Sequence, residues 1–424
     1  MRIMIVGAGI GGLTAALSLH QAGLDFVVVE STEELRPLGV GINVQPHAVR
    51  ELTELGLDEA LQKTGIPTTV QIYANRLGQP ILTLPRGRAA GYLWPQYSIH
   101  RGHLQSLMVD ALLERAGGDV LRLGLEFRDY EQDDTGVTVR LRDTRTGETV
   151  TERADVLVGA DGVRSTVRAR MHPGDGPLMW SGIRMWRGMT ETDPFLDGGS
   201  MVVAGSNVDK KFVAYPVCAR TRERGRALVN WVAELTVAKP GPLEDTSAWH
   251  AVGGVEEALA HFGDWRFPYL DVGALIEGAE RVMEYPMVDK DPLPFWTDGR
   301  VTLLGDAAHP MYPVGSNGGS QAILDGRVLA HALATCDDPL QGLARYEELR
   351  REPTSELVLA NRALPMDKTI RLVEERAPDG FSDIAEVLTP EELAEMAQAQ
   401  KRTTDMDVKA LNERPSWTVR QERG

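Results

Sequence analysis

The spacing of apolar positions changes along the chain, and each change marks a different kind of element. Ile3-Met4-Ile5-Val6 is an unbroken apolar run and reads as a buried strand. The stretch 13–19 is small and apolar at helical spacing, and Phe26-Val27-Val28-Val29 is a second buried run. Residues 46–61 keep a helical period through Val49, Leu52, Leu55 and Leu57, and residues 102–114 put Leu104, Leu107, Met108, Ala111 and Leu112 on one face. Runs 70–84 read as a hairpin turning at 75–78, and runs 120–127, 137–142, 149–153 and 154–159 as further strands. Between about 176 and 284 short strands dominate (182–189, 201–204, 211–215 and 228–234), which predicts an antiparallel sheet inserted into the first domain. Run 299–306 returns to a parallel-type strand, and the remainder is helical. Thr389-Pro390-Glu391-Glu392 is a helix start, with Thr as cap, Pro in the first turn and Glu three positions on. The last ten residues are polar and read as frayed.

The turn after the first strand is Gly7-Ala8-Gly9-Ile10-Gly11-Gly12, and the second strand ends in Glu30, 18 residues past Gly12. Strand, G-x-G-x-x-G turn, helix, strand and acid together are the dinucleotide-binding βαβ pattern. The glycines let the backbone turn sharply and approach a pyrophosphate, and the helix N-terminus offers that anion free N–H groups and a positive dipole end. Glu30 can accept hydrogen bonds from a ribose diol and disfavours a 2′-phosphate, so the ligand is FAD or NAD rather than NADP. A reductase with separate FAD and nicotinamide domains would carry two such patterns; this chain has one, so a nicotinamide cofactor would bind transiently in a shared groove. The loop 34–43, with Pro37, Gly39 and Gly41, reads either as backbone held close to a ligand or as a tight turn.

Composition narrows the partners. A length of 424 residues suggests two or three domains at about 100–200 residues each. A hydrophobic fraction of 42% and a charged fraction of 25% are ordinary for a soluble protein. A net charge of −16 argues against nucleic acid, which needs clustered Lys and Arg. Cys218 and Cys336 form neither a metal pattern nor a disulfide framework, so the expected compartment is the cytoplasm and no metal is assigned. No apolar run suggests a membrane partner; residues 3–19 read as strand-turn-helix rather than signal peptide, with no room for a leader before residue 3.

Two more motifs follow: Gly159-Ala160-Asp161-Gly162-Val163-Arg164-Ser165, and Gly305-Asp306-Ala307-Ala308-His309-Pro310 continuing into Pro313-Val314-Gly315-Ser316-Asn317-Gly318-Gly319. The three motifs in order, over residues 1–350, resemble the single-component FAD-dependent aromatic hydroxylases, the group typified by para-hydroxybenzoate hydroxylase. The stretch 304–325 looks like the phenazine-carboxylate monooxygenase branch. The resemblance implies an α/β fold: a Rossmann-like FAD-binding domain with an inserted antiparallel β-sheet substrate domain and C-terminal helices. Its expected parts are a discontinuous FAD-binding domain (1–75, 98–175 and 285–350), a substrate domain (76–97 and 176–284) and a helical region (351–424).

The same resemblance implies FAD contacts from Gly7, Gly9, Ile10, Gly11, Gly12, Glu30, Ser31, Val40, Gly41, Ile42 and Arg101, and a backbone contact from Leu125 to adenine. Asp161 would lie near the pyrophosphate, or else cap the helix that follows. Asp306, after Gly305 at a strand end, would take the ribityl hydroxyls or cap a helix. Gly315, Asn317 and Gly318 open a helix toward the flavin N1–C2=O edge, which becomes negative on reduction. The implied reaction takes NADH or NADPH and O2 and hydroxylates an aromatic or heteroaromatic, polycyclic substrate through a flavin C4a-hydroperoxide. The alternative is an FAD-dependent dehydrogenase or reductase of a secondary metabolite without oxygen insertion. The substrate would lie between the inserted sheet and the flavin, near Trp186, Met201, Val203, Phe212, Tyr215, Asn230 and Trp231, of which strand alternation turns half away. Tyr215 either bonds a phenol or carboxylate or packs in the sheet. His309 is either catalytic or a helix cap, and Pro313 lies in the same motif. No general base is assigned. The chain is expected to be a monomer or homodimer, with helices from about Asp367 covering the site or making the dimer contact.

Overall fold

Strand Arg2–Val6 is buried along four of its five residues. Such a run needs cover on both faces, which a parallel sheet between helices supplies. It sits mid-sheet, paired in parallel with Asp25–Glu30 on one side and Val156–Gly159 on the other. Val301–Leu303 extends the sheet beyond Val156–Gly159, and Leu121–Leu123 extends it beyond Asp25–Glu30; Thr297–Asp298 adds an antiparallel edge. Helices Ile10–Ala22 and Gly318–Thr335 pack on each other. The C-terminal strand ends open toward one crevice, where such folds hold ligands. The structure is a computed structural model and describes residues 1–37, 39–243, 254–404 and 407–419; Leu38 of the 34–43 loop and the final residues 420–424 lie outside them.

A second sheet of eight strands faces that crevice. Met179–Thr192, Ala227–Thr236, Lys210–Pro216, Met201–Gly205, Val70–Ala74 and Pro80–Pro85 follow in spatial order, with Gly241–Pro242 and Val282–Asp289 both pairing with Met179–Thr192. Three expectations change here. Val70–Ala74 belongs to this sheet although it falls before the boundary expected at 75, and Val282–Asp289 runs past the one expected at 285. Turn residues mark the hairpin between strands, but nothing local marks where the chain crosses between sheets. Nor is the sheet wholly antiparallel: Met201–Gly205 pairs in parallel with Val70–Ala74.

Alternation assigns each residue a side. Met185, Met201, Val203, Val213 and Val232 point toward the crevice. Trp186, Phe212 and Trp231 point away, into a second core that includes Phe262. The Phe212 and Trp231 rings stack 6.2 Å apart.

Helices Pro339–Arg362, Pro365–Arg376 and Pro390–Thr404 complete the chain with the short Val408–Glu413. The Thr389 helix start is as expected: its N–H donates to Glu392 at 2.9 Å, and the Glu392 N–H donates back to Thr389 Oγ1 at 3.2 Å. The helical stretch 46–61 is divided at Gly56 (φ 70°) into Pro46–Glu54 and Asp58–Thr64. Run 120–127 is likewise divided at Gly124 (φ 77°). The tail is docked rather than frayed as far as it is described. Trp417 meets His331 edge-on at 5.4 Å, and Thr418 Oγ1 accepts from Arg327 at 2.7 Å. Among the described residues no helix is long and apolar enough to cross a membrane.

Candidate active site

The crevice between the two sheets is a cavity of about 390 Å³. Two helices begin at one end of it, Ile10–Ala22 and Gly318–Thr335. Neither has a side-chain N-cap hydrogen bond or an acid in its first turn. Their unsatisfied N–H groups and positive dipole ends therefore face the same space, which suits a ligand with two electron-rich parts.

The glycines of the first turn divide the work. A Cβ on Gly7 (φ 107°) would lie 2.4 Å from the Ala160 carbonyl oxygen, and one on Gly12 would lie 2.0 Å from the Gly7 oxygen. Those two glycines let backbone pack on backbone. A Cβ on Gly9 would meet nothing within 4 Å and would project into the cavity, leaving room for a ligand. Glu30 braces the turn: its carboxylate accepts from the Ala8 N–H at 2.9 Å, the Thr32 N–H at 2.9 Å and Ser31 Oγ at 3.0 Å.

The third motif is supported from below. The Gly305 N–H donates to Asp325 Oδ2 at 2.9 Å. Asp325 also takes His309 Nε2 at 2.5 Å and Arg350 Nε at 2.8 Å, and it is fully buried. Burial pushes the Asp325 carboxyl up, but the charges and hydrogen bonds of His309 and Arg350 outweigh it and hold the group at about 2. His309 thus anchors the loop, with Trp296 5.2 Å away, and does not line the cavity. Asp306 does line it. Its side chain is exposed toward the cavity, and desolvation there raises its pKa against the pull of His309 and Arg101. Beyond Pro313, Gly315 (φ 71°) and Ser316 (φ 56°) are consecutive left-handed residues. For Ser316 that costs of order 1 kcal/mol, the kind of strain found at ligand-binding loops.

Asp161 takes its structural alternative. Its carboxylate accepts from Ser165 Oγ at 2.5 Å and from the Thr166 and Val167 N–H groups at 2.7 and 3.1 Å, at the start of helix Thr166–Met171. Burial raises its pKa despite those bonds. The neighbours Ala160 and Gly162 line the cavity in its place. Arg101 lines it too, and its N–H donates to the Val40 oxygen at 3.0 Å. Leu125 is buried at the start of its strand, away from the cavity wall.

Gly41 is the joint between the halves. Its N–H donates to Asn230 Oδ1 at 2.7 Å; its carbonyl accepts from the Tyr215 hydroxyl at 2.9 Å and Arg187 Nη2 at 3.1 Å. Tyr215, considered above as a hydrogen-bond partner for substrate, spends its proton on backbone. Trp186 and Phe212, also expected near the substrate, face the other core for the parity reason given above. Met201, Pro313 and Ile42 line the cavity as expected. The sequence reading missed Lys211, Glu234, Asp367, Met366 and Ile370, all on the wall. Parity on the strand of Tyr215 would have found Lys211, since 211, 213 and 215 share a face. The three helix residues carry no comparable signal.

The family described as FAD binding domain matches residues 1–238 and 290–361. The chain is 51% identical over 363 residues, 85% of its length and 89% of the relative's, to phenazine 1,6-dicarboxylic acid hydroxylase of Lysobacter antibioticus. It is 32% identical over 354 residues, 82% and 84% of the two chains, to 3-hydroxybenzoate 6-hydroxylase 1 of Aquipseudomonas alcaligenes. Klebsiella pneumoniae HpxO complexed with FAD and uric acid superimposes with TM-score 0.72 at 25% identity, covering 97% of this chain and 95% of that one. A salicylate hydroxylase substrate complex shares the fold at TM-score 0.73 and 23% identity, covering 100% and 99%.

Proposed function

This chain belongs to the FAD binding domain family and is an FAD-dependent aromatic hydroxylase; from that premise we propose that its substrate is a polycyclic heteroaromatic acid of the phenazine class. The observation that carries the substrate class is the likeness, over most of the chain, to a hydroxylase named for a phenazine dicarboxylic acid. The cavity suits such a ring: Met185, Met201, Val203 and Val232 form an apolar floor opposite the glycine loops.

Bound FAD, reduced by NADH or NADPH, supplies the chemistry that divides O2 between the ring and water. The protein's part is to hold and shield. Gly9 leaves room for the pyrophosphate at the first helix start, while Gly7, Gly11 and Gly12 keep that turn tight. Glu30 with Ser31 would take the ribose, and Asp306, with Arg101 near it, the ribityl hydroxyls. Gly315, Asn317 and Gly318 would present the second helix start to the flavin edge where negative charge develops, and its fixed dipole would need no reorganisation there. The apolar floor keeps water from the reacting ring. One NAD(P)H and one O2 are consumed per hydroxyl added and water formed.

The test is a product mass. Purified enzyme given FAD, a phenazine carboxylic acid and NADH or NADPH in air should yield a product heavier by one oxygen. A product differing by two hydrogens would make the chain a dehydrogenase. A phenazine acid that leaves reductant oxidation unstimulated, while a single-ring acid stimulates it, would overturn the substrate class.

A further inference from the structure

The cavity wall carries a set of charges for which the hydroxylation reading has no use. Lys211 Nζ lies 3.3 Å from Glu234 Oε2 and 3.6 Å from Asp367 Oδ1, and the three side chains are 10%, 6% and 7% exposed. All three line the cavity. Burial would lower the Lys211 pKa, but the two carboxylates raise it overall, so it is an ammonium. One cation sits between two carboxylates, and Arg86 is a second cation nearby, bonded to Gln71.

The two acids are not equivalent. Asp367 Oδ1 accepts a hydrogen bond from the Asn207 N–H at 3.2 Å. Glu234 Oε2 is buried, and its contact among the described residues is the long, poorly aligned one to Lys211 Nζ at 3.3 Å. A carboxylate oxygen has acceptor capacity beyond that one contact. The neighbouring donors are engaged elsewhere: Gln71 Nε2 donates to the Tyr73 hydroxyl at 2.8 Å, and Arg86 Nε to Gln71 Oε1 at 2.9 Å. A group entering the cavity is a further source of a donor. Asp367 also lies on helix Pro365–Arg376, past the last residue covered by the family match, so this end of the cavity is built partly by the chain's own C-terminal region.

We propose that Glu234 is a specificity-determining residue that accepts a hydrogen bond from an O–H or N–H substituent of the aromatic substrate, with Lys211 holding its carboxylate in place. The proposal rests on the aromatic-substrate reading above. A carboxylate acceptor favours a hydroxyl, amino or protonated carboxyl group against it and opposes a carboxylate. Charge-assisted acceptance is stronger than neutral acceptance, so the preference depends on Glu234 being ionised.

The experiment titrates FAD-loaded enzyme with a hydroxyphenazine and its methoxy analogue, following the flavin absorbance. Wild type should bind the hydroxy ligand at least about tenfold more tightly, because a site built to bond a hydroxyl rejects the analogue lacking it. Glu234→Gln should bring the two within about twofold, and Glu234→Asp should restore part of the preference. Asp367→Asn should keep the preference, since that carboxylate is already bonded. A Glu234→Gln enzyme that retains FAD and the full preference overturns the proposal. So does an equal loss of both ligands in Glu234→Gln and Asp367→Asn, the pattern of a purely structural ion cluster. A wild-type flavin spectrum that answers to neither ligand overturns the substrate class and this proposal with it, a result distinct from a lost preference.

Discussion

At the scale of single residues, the side chains that matter most are those that fix Gly41. A Cβ there would lie 2.6 Å from Asn230 Cβ and 2.7 Å from Val217 Cγ1, so the second sheet presses directly on this backbone. Tyr215 and Arg187 then share its carbonyl. Burial pushes the Tyr215 phenol up, so it remains a donor through neutral and mildly alkaline pH. Tyr215→Phe should keep FAD, lose about 1 kcal/mol in denaturant unfolding, and lower the product formed per NAD(P)H severalfold as the loop loosens. If stability and product yield both stay at wild-type values, the phenol has no positioning role and Arg187 alone suffices. The sequence exposed the glycines and Glu30 because their chemistry is local: a turn, a helix start and a strand tip within 30 residues. It did not expose the Tyr215 bond, whose partner is 174 residues away. Trp186 and Phe212 were misread as lining because aromatic character was weighed above strand parity.

At the scale of elements, helix Gly318–Thr335 matters as much for what it holds beneath the third motif as for its N-terminus. Asp325, in its second turn, ties Gly305, His309 and Arg350 into one buried cluster. Asp325→Asn leaves the Arg350 guanidinium short of its counter-charge, and breaking such a buried arrangement costs about 3–5 kcal/mol. The variant should melt earlier and retain less FAD, which thermal unfolding and flavin absorbance both measure; unchanged melting would show that Arg350 with Gln321 holds the loop. The pH dependence follows from the direction of the shift. The folded carboxyl, at about 2, lies below its ordinary value of 3.8, so its contribution is complete above about pH 4. It is lost as pH falls through about 2, an effect of about 2 kcal/mol. Wild type should therefore lose more stability than Asp325→Asn across that window. Helix Gly318–Thr335 and its glycine-rich approach were legible from the motif. The cluster was not, because Arg350 comes from the next helix and Asp325 looks in sequence like any polar residue in an apolar helix.

At the scale of the molecule, two sheets and a C-terminal helix close one cavity, each supplying a different property. The parallel sheet supplies helix starts, the eight-stranded sheet an apolar floor, and helix Pro365–Arg376 the last wall. The sequence left that helix as either a cover or a dimer contact; Met366, Asp367 and Ile370 line the cavity, so covering is one of its roles. No local signal announces this, since the helix is amphipathic toward a surface that exists only after both sheets have formed. Ile370 is fully buried in the apolar cluster of the cavity wall. Ile370→Ala would leave a void, costing about 2–5 kcal/mol, and would admit water to the ring's end of the cavity. Flavin content and NAD(P)H oxidation should then hold near wild type while hydroxylated product per NAD(P)H falls and hydrogen peroxide rises. Loss of FAD along with product would mean instead that the wall supports the cofactor end. Undiminished product yield would mean that the two sheets alone keep water from the ring, leaving the helix only its recognition role.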